Sequence, residues 1–315
     1  PSTCVASTQS AKLRPVYLAF VFDVSGSMGE LDFPWHDPVL KWNPVVAATR
    51  SFFENPASTG IFASLTLFPA DNDSCNSATY ARFDVPMTAL PTTAMGEVLA
   101  KVGTPDGSGT PTRAAIQGTL EQVLPMAASN TSAKYALVLV TDGTPQSCTD
   151  NTVATAAAAV RAVAANVPTY VIGVANPPIE GAPDNVSGLH AIAEAGGTKT
   201  AFIIETGNPA QTSTALSAAV NLIRGASISC NVDIPAPPPG QELNPRRVKV
   251  TYASGASATP LTYDADCVGQ STWHYDNPAQ PREIRLCPST CDAIRADSNA
   301  QLSVEFTCVD LILNI

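Results

Sequence analysis

The sequence predicts an α/β fold: a doubly wound, mainly parallel central sheet with helices on both faces, followed by a small disulfide-stapled antiparallel β module. Three observations predict it. Apolar runs of strand length alternate with helix-like segments as far as residue 226. The rhythm breaks after Cys230 at a proline-rich passage, "NVDIPAPPPGQELNP", and five of the eight cysteines fall from Cys230 onward. Alternation of this kind implies parallel strands joined by crossover helices. Cysteine staples suit a module whose core is too small to hold by burial alone.

The first run, "VYLAFVFD" at 16–23, is apolar throughout except at its end, as expected of a strand covered on both faces. Runs at 61–68, 134–141, 169–175 and 200–205 repeat the pattern, and the more polar 78–85 reads as an edge strand. Helices are predicted over roughly 43–54, 92–102, 112–128, 151–166, 186–195 and 210–226, several opened by Thr, Asn or Asp at the capping position. Proline excludes helix from the passage that follows. Short alternating strands are then expected at 246–252, 259–263, 282–287 and 302–309, with a helical turn near 291–296. The predicted organisation is an N-terminal extension (1–13), a sheet domain (14–229) and a Cys-rich, β-sandwich-like module (230–315). The apolar tail "VDLILNI" reads as the module's closing strand or as a strand added to a neighbouring copy.

Composition narrows the function. Seventeen Lys and Arg against 27 Asp and Glu give a net charge of −10, and no basic cluster is available for nucleic acid. The cysteines make no C-x-x-C and no zinc-finger spacing, so disulfides, and with them an oxidising compartment at the cell surface or outside the cell, are expected. No stretch of about 18 apolar residues crosses a membrane, and any export signal is expected to have been removed. Histidines at 36, 190 and 274 are scattered, and G-x-S-x-G, Walker and G-x-G-x-x-G motifs are missing. A binding protein is expected, not an enzyme.

The chemistry concentrates at strand ends. In "FVFDVSGSMGE", Asp23 ends the first strand, and Ser25 and Ser27 follow in a glycine-containing loop. Ligands of open α/β sheets gather at this edge. The same edge should receive "GSGTPTRAAI", carrying Thr110, and "LVLVTDGTP", carrying Asp142. Carboxylates with hydroxyls suit a hard divalent cation.

In this set of residues the chain resembles the von Willebrand factor type A family. Asp23, Ser25 and Ser27 match the D-x-S-x-S of its metal-ion-dependent adhesion site, Thr110 the threonine of the second loop and Asp142 the aspartate of the third. The resemblance spans about residues 14–226. It implies a Rossmann-like fold and one divalent cation, Mg²⁺ ahead of Ca²⁺ or Mn²⁺. It also implies a protein partner that supplies a carboxylate to the ion. The alternative partner is a neighbouring copy of the chain in a surface filament. The Cys-rich tail is similar to those that follow type A domains in secreted bacterial proteins.

The loop from 30 to 44 should rim the ion. Its Trp35, His36 and Asp37 are either a partner-reading surface or packing for the loop, as is Trp42. Expected disulfides are Cys75–Cys148 between two rim loops and Cys4–Cys230 where the domain's ends meet. For the last four cysteines, Cys267–Cys287 and Cys291–Cys308 are preferred among three possible pairings.

Overall fold

β1 (Val16–Asp23) occupies the middle of the sheet because almost every side chain it carries must leave water. It pairs in parallel with β2 (Ile61–Phe68) on one side and β4 (Lys134–Thr141) on the other. Alternation along the strand divides its side chains between two cores. Leu18, Phe20 and Phe22 face Phe53 and Trp42, with ring centroids 4.9 Å apart for Phe20 and Phe53. Ala19 and Val21 face Ile116, Leu120, Val160 and Ile192. A strand with two covered faces needs a helix layer on each.

The computed structural model describes residues 15–30, 32–70, 74–131, 133–227, 230–234, 241–254, 257–297 and 300–310. They divide into two compact units, one within 15–223 and one within 224–310. The first holds a six-stranded sheet that includes β3 (Val85–Ala89), β5 (Thr169–Val174) and β6 (Phe202–Ile204), in the order β3-β2-β1-β4-β5-β6, with β5 and β6 parallel to their neighbours. The helices are α1 (Trp42–Glu54), α2 (Ala94–Val102), α3 (Thr112–Ser129), α4 (Val153–Arg161), α5 (Leu189–Ala195) and α6 (Pro209–Ser227). After β1 the chain turns toward β2, and after β4 toward β5. The loops at the carboxyl ends of these adjacent strands therefore diverge and leave a crevice between them. The expected doubly wound α/β sheet is the one formed.

One edge differs from expectation. β3 is Val85–Ala89, antiparallel to β2, while the stretch read as a strand begins with a 3-10 turn, Ser77–Tyr80. Asn76 nucleates that turn by accepting from the Ala78 N–H at 3.1 Å. Tyr80 is drawn inward against the α3 side of the core, its hydroxyl donating to the Ser74 carbonyl at 2.8 Å. Burial of one aromatic ring outweighs the β-propensity of the segment.

In the second unit β7 (Asn231–Asp233), β8 (Gln241–Ser254), β9 (Ser257–Tyr263), β10 (Thr272–Tyr275), β11 (Glu283–Leu286) and β12 (Ala300–Asp310) join in the order β12-β8-β9-β10-β11-β7. The pairing is antiparallel apart from β9 with β10. The expected sandwich is thus a single hydrogen-bonded sheet. Its core of Val250, Trp273, Ile284 and Val304 is shared with Ile294 and Cys291 of α7 (Pro288–Ala296).

Cys75–Cys148 and Cys267–Cys287 form as expected. Cys4–Cys230 and Cys291–Cys308 do not, because Cys230 pairs with Cys291, their Cα atoms 5.6 Å apart. β7 lies antiparallel against β11, so the Cys230 carbonyl accepts from the Leu286 N–H at 2.9 Å. α7 starts directly after β11 and turns Cys291 inward beside it. Cys4, with the whole of the predicted extension, lies outside the described residues, as do the last five residues of the tail. Among the described residues no helix is long and apolar enough to cross a membrane.

Two outcomes follow. Peptide mapping without reduction should recover Cys230 linked to Cys291 and no Cys291–Cys308 peptide. Replacing Cys75 and Cys148 together by Ala should lower unfolding free energy by about 2–4 kcal/mol in urea titrations, the usual effect of opening a long loop.

Candidate metal centre

Asp23 is fully buried at the last position of β1. One carboxylate oxygen accepts from the Ser25 N–H at 2.8 Å and the other from the Thr141 hydroxyl at 2.5 Å. The Ser25 loop is then stitched to the Thr110 loop by main-chain bonds, from Gly26 N–H to the Gly107 carbonyl at 2.8 Å and from Gly107 N–H to the Val24 carbonyl at 3.2 Å. A Cβ on Gly107 would stand 2.9 Å from that same carbonyl, so only glycine allows the approach. Met28, fully buried, anchors the short turn Gly26–Met28 in the core below.

The hydroxyl oxygens of Ser25 and Ser27 lie 3.1 Å apart, and Ser27 donates to Asp142 at 2.9 Å. Asp142 follows the end of β4 and is buried. Thr110 is held by its carbonyl, which accepts from Gln146 N–H at 3.0 Å and from the Asn151 amide at 2.8 Å. Asn151 also reaches the Ser147 carbonyl at 3.0 Å, fixing the second loop on the third. Ser25, Ser27, Thr110 and Asp142 line one cavity of about 580 Å³, with Asp23 enclosed at the strand end. All five residues read from the sequence converge here.

Burial, with the nearby charge of Asp142 second, pushes the Asp23 carboxyl up to about 7 against the lowering effect of its hydrogen bonds. A cation among these oxygens would supply positive charge beside that carboxylate. The donor set fits a hard divalent ion: it is all oxygen, and no group of three His, Cys, Asp or Glu forms a rival site among the described residues.

Lys41, just before α1, was not singled out by the sequence reading. Its ammonium donates to the Ser27 carbonyl at 2.9 Å, to the Asn176 side chain at 2.8 Å and to the second oxygen of Asp142. The available signal was its place: a cation at the positive end of a helix is unfavourable and calls for a partner. Asn185 was missed too. It ties the loops after β4 and β5 through the Asp142 and Val174 carbonyls.

At the mouth, Trp35 stacks on Phe33 with centroids 4.9 Å apart, and His36 bonds Asp32 at 2.6 Å. All four line the cavity, and Phe33 is 49% exposed. Asp37 is not among the lining residues. Its carboxylate accepts from the Val39 N–H at 2.8 Å, closing a turn within its own loop. Trp42 packs edge-on against Phe22 in the core.

The sequence profile of the von Willebrand factor type A domain matches residues 63–223. The chain belongs to this family. The match opens inside β2, so β1 and the Asp23 loop lie before it, and the sheet order brings them to the type A domain's Thr110 and Asp142 loops. A search of curated proteins found no match. Among solved structures, the chain is similar to the pilus adhesin SpaC from Lactobacillus rhamnosus GG in its open conformation, at 12% identity and a TM-score of 0.48, over 96% of this chain and 40% of that one. It is similar to proximal thread matrix protein 1 from the mussel byssus at 14% identity and a TM-score of 0.46, over 70% and 49%. It is also similar to the manganese-loaded TRAP protein of Plasmodium vivax at 17% identity and a TM-score of 0.34, over 52% and 58%. The chain thus spans less than two thirds of the length of each.

Thr141→Val removes a buried hydrogen bond and leaves one Asp23 oxygen without its donor. Unfolding measured in chelator should show a loss of about 1–3 kcal/mol.

Proposed function

We propose that this type A domain protein is an extracellular, metal-dependent adhesion protein that binds an acidic group of a protein partner. The observation that carries the reading is the hydroxyl-rich set of Ser25, Ser27 and Thr110, backed by buried Asp23 and Asp142, opening into one cavity. These residues would hold a single divalent cation. Serine and threonine oxygens bind without adding negative charge, so the protein neutralises less of the ion than a carboxylate cage would. The ion, when bound, supplies an electrophilic position to a partner's carboxylate oxygen.

The donors are hydroxyl and carboxylate oxygens, the ligand type that Mg²⁺ takes alongside retained waters, one of which a partner's oxygen would replace.

Phe33 and Trp35 form a flat aromatic step beside the mouth. Rigid, partly exposed aromatics of this kind anchor protein contacts at low entropic cost. Three disulfides among the described residues support an oxidising location.

The test is a set of thermal melts with Mg²⁺, with Ca²⁺ and with chelator. Mg²⁺ should raise the midpoint more than equimolar Ca²⁺, adding about 2.7 kcal/mol at a hundredfold excess over its dissociation constant. Asp23→Ala should abolish the response. A variant that still takes up one equivalent of metal at parental affinity would refute the assignment.

A further inference from the structure

Lys41 stands outside the family's five-residue pattern, yet it is built into the centre. Its side chain is 0% exposed. An ammonium stripped of water is costly unless its protons all find acceptors. Here the three protons meet three oxygens, those of the Ser27 carbonyl, the Asn176 amide and the Asp142 carboxylate. Nothing local recommends the position, since α1 begins at the next residue and its N-terminus repels a cation. Asp142 is the charge that holds it there. The acceptors are themselves fixed: Asn176 donates to the Pro183 carbonyl at 3.0 Å, and its N–H donates to Asn185 at 3.0 Å.

We infer that Lys41 is a tethered counter-charge that sets the specificity of the centre for an anionic partner and loosens its hold on the cation. The inference rests on the metal centre proposed above. Asp23 and Asp142 carry two negative charges, which a divalent ion alone would neutralise. Lys41 brings a further positive charge into the same buried volume and leaves the loaded centre with one in excess. A single carboxylate from a partner cancels that excess; a neutral amide or hydroxyl does not. Glu30, Asp32 and Asp184 line the outer cavity, but they are exposed, and water screens them. Lys41 also keeps Asp142 in place when the ion is lost, so the empty centre does not carry an unpaired buried carboxylate there.

Lys41→Met keeps an unbranched stem and removes the charge. In the full chain, calorimetric titration should show Mn²⁺ bound at least about tenfold more tightly than by the parent, because the removed charge repels the ion at close range in a medium of low dielectric. Acetate should bind the loaded centre at least about tenfold more weakly, read from displacement of manganese-bound water in proton relaxation. Chelator should lower the melting temperature of Lys41→Met more than that of the parent.

Lys41→Gln retains hydrogen bonding without charge, serves where Lys41→Met fails to fold, and should behave in the same way. Unchanged or weaker Mn²⁺ affinity, or unchanged acetate affinity, in a folded variant overturns the role of Lys41 and leaves the metal centre standing. Parental values in Lys41→Gln overturn it as well, by assigning the residue to hydrogen bonding. A parent chain that takes up no Mn²⁺ sinks the metal reading and this inference together.

Discussion

Two carboxylates, Asp23 and Asp142, end adjacent strands and are both out of water. Like charges this close and this dry are tolerable only if the surroundings supply protons or positive charge. Much of the molecule can be understood as that supply. Thr141 and the Ser25 N–H serve Asp23, while Ser27 and Lys41 serve Asp142. The glycine at 107 exists so that a neighbouring loop can come close enough to share the task. The parallel sheet is the rigid base that makes the arrangement repeatable, since its strands fix where each carboxylate begins.

The strand register explains how precision at the centre arises from ordinary packing. Asp23 pairs with Phe68 of β2, and Phe22 with Val140 of β4, so the strand ends are aligned by their cores before any polar contact forms. Fully buried Phe20, Phe22 and Met28 lock the first loop from beneath. The polar atoms above then meet at hydrogen-bond distance without needing to search. Disruption of the apolar layer would reach the centre through that register.

Much of this was legible in the sequence because strands buried on both faces announce themselves as unbroken apolar runs, and 16–23, 61–68 and 134–141 are seen at those positions. The five site residues were legible for the same reason: each follows or ends such a run or opens a helix, so topology alone brings them to one edge. What escaped depends on contacts between distant segments. Tyr80 pulls its neighbours into a 3-10 turn through burial that no local pattern encodes. Cys230 pairs with Cys291 because β7 chooses β11. Lys41 stands where a helix start disfavours a cation, but only the fold reveals the aspartate 101 residues away that draws it inside.

The Cys75–Cys148 bridge has a mechanical consequence. It closes a covalent ring, 73 residues apart along the chain, that contains β3, α2, α3 and β4, and therefore the Thr110 loop and Asp142. At about 3.4 Å per extended residue, the ring withholds roughly 250 Å of length from a chain pulled at its ends. Tension entering from either terminus passes across the sulfur bond instead of through that segment. Two of the five residues proposed to hold the ion, Thr110 and Asp142, sit on the slack side of the bond, where a stretched chain would not draw them straight.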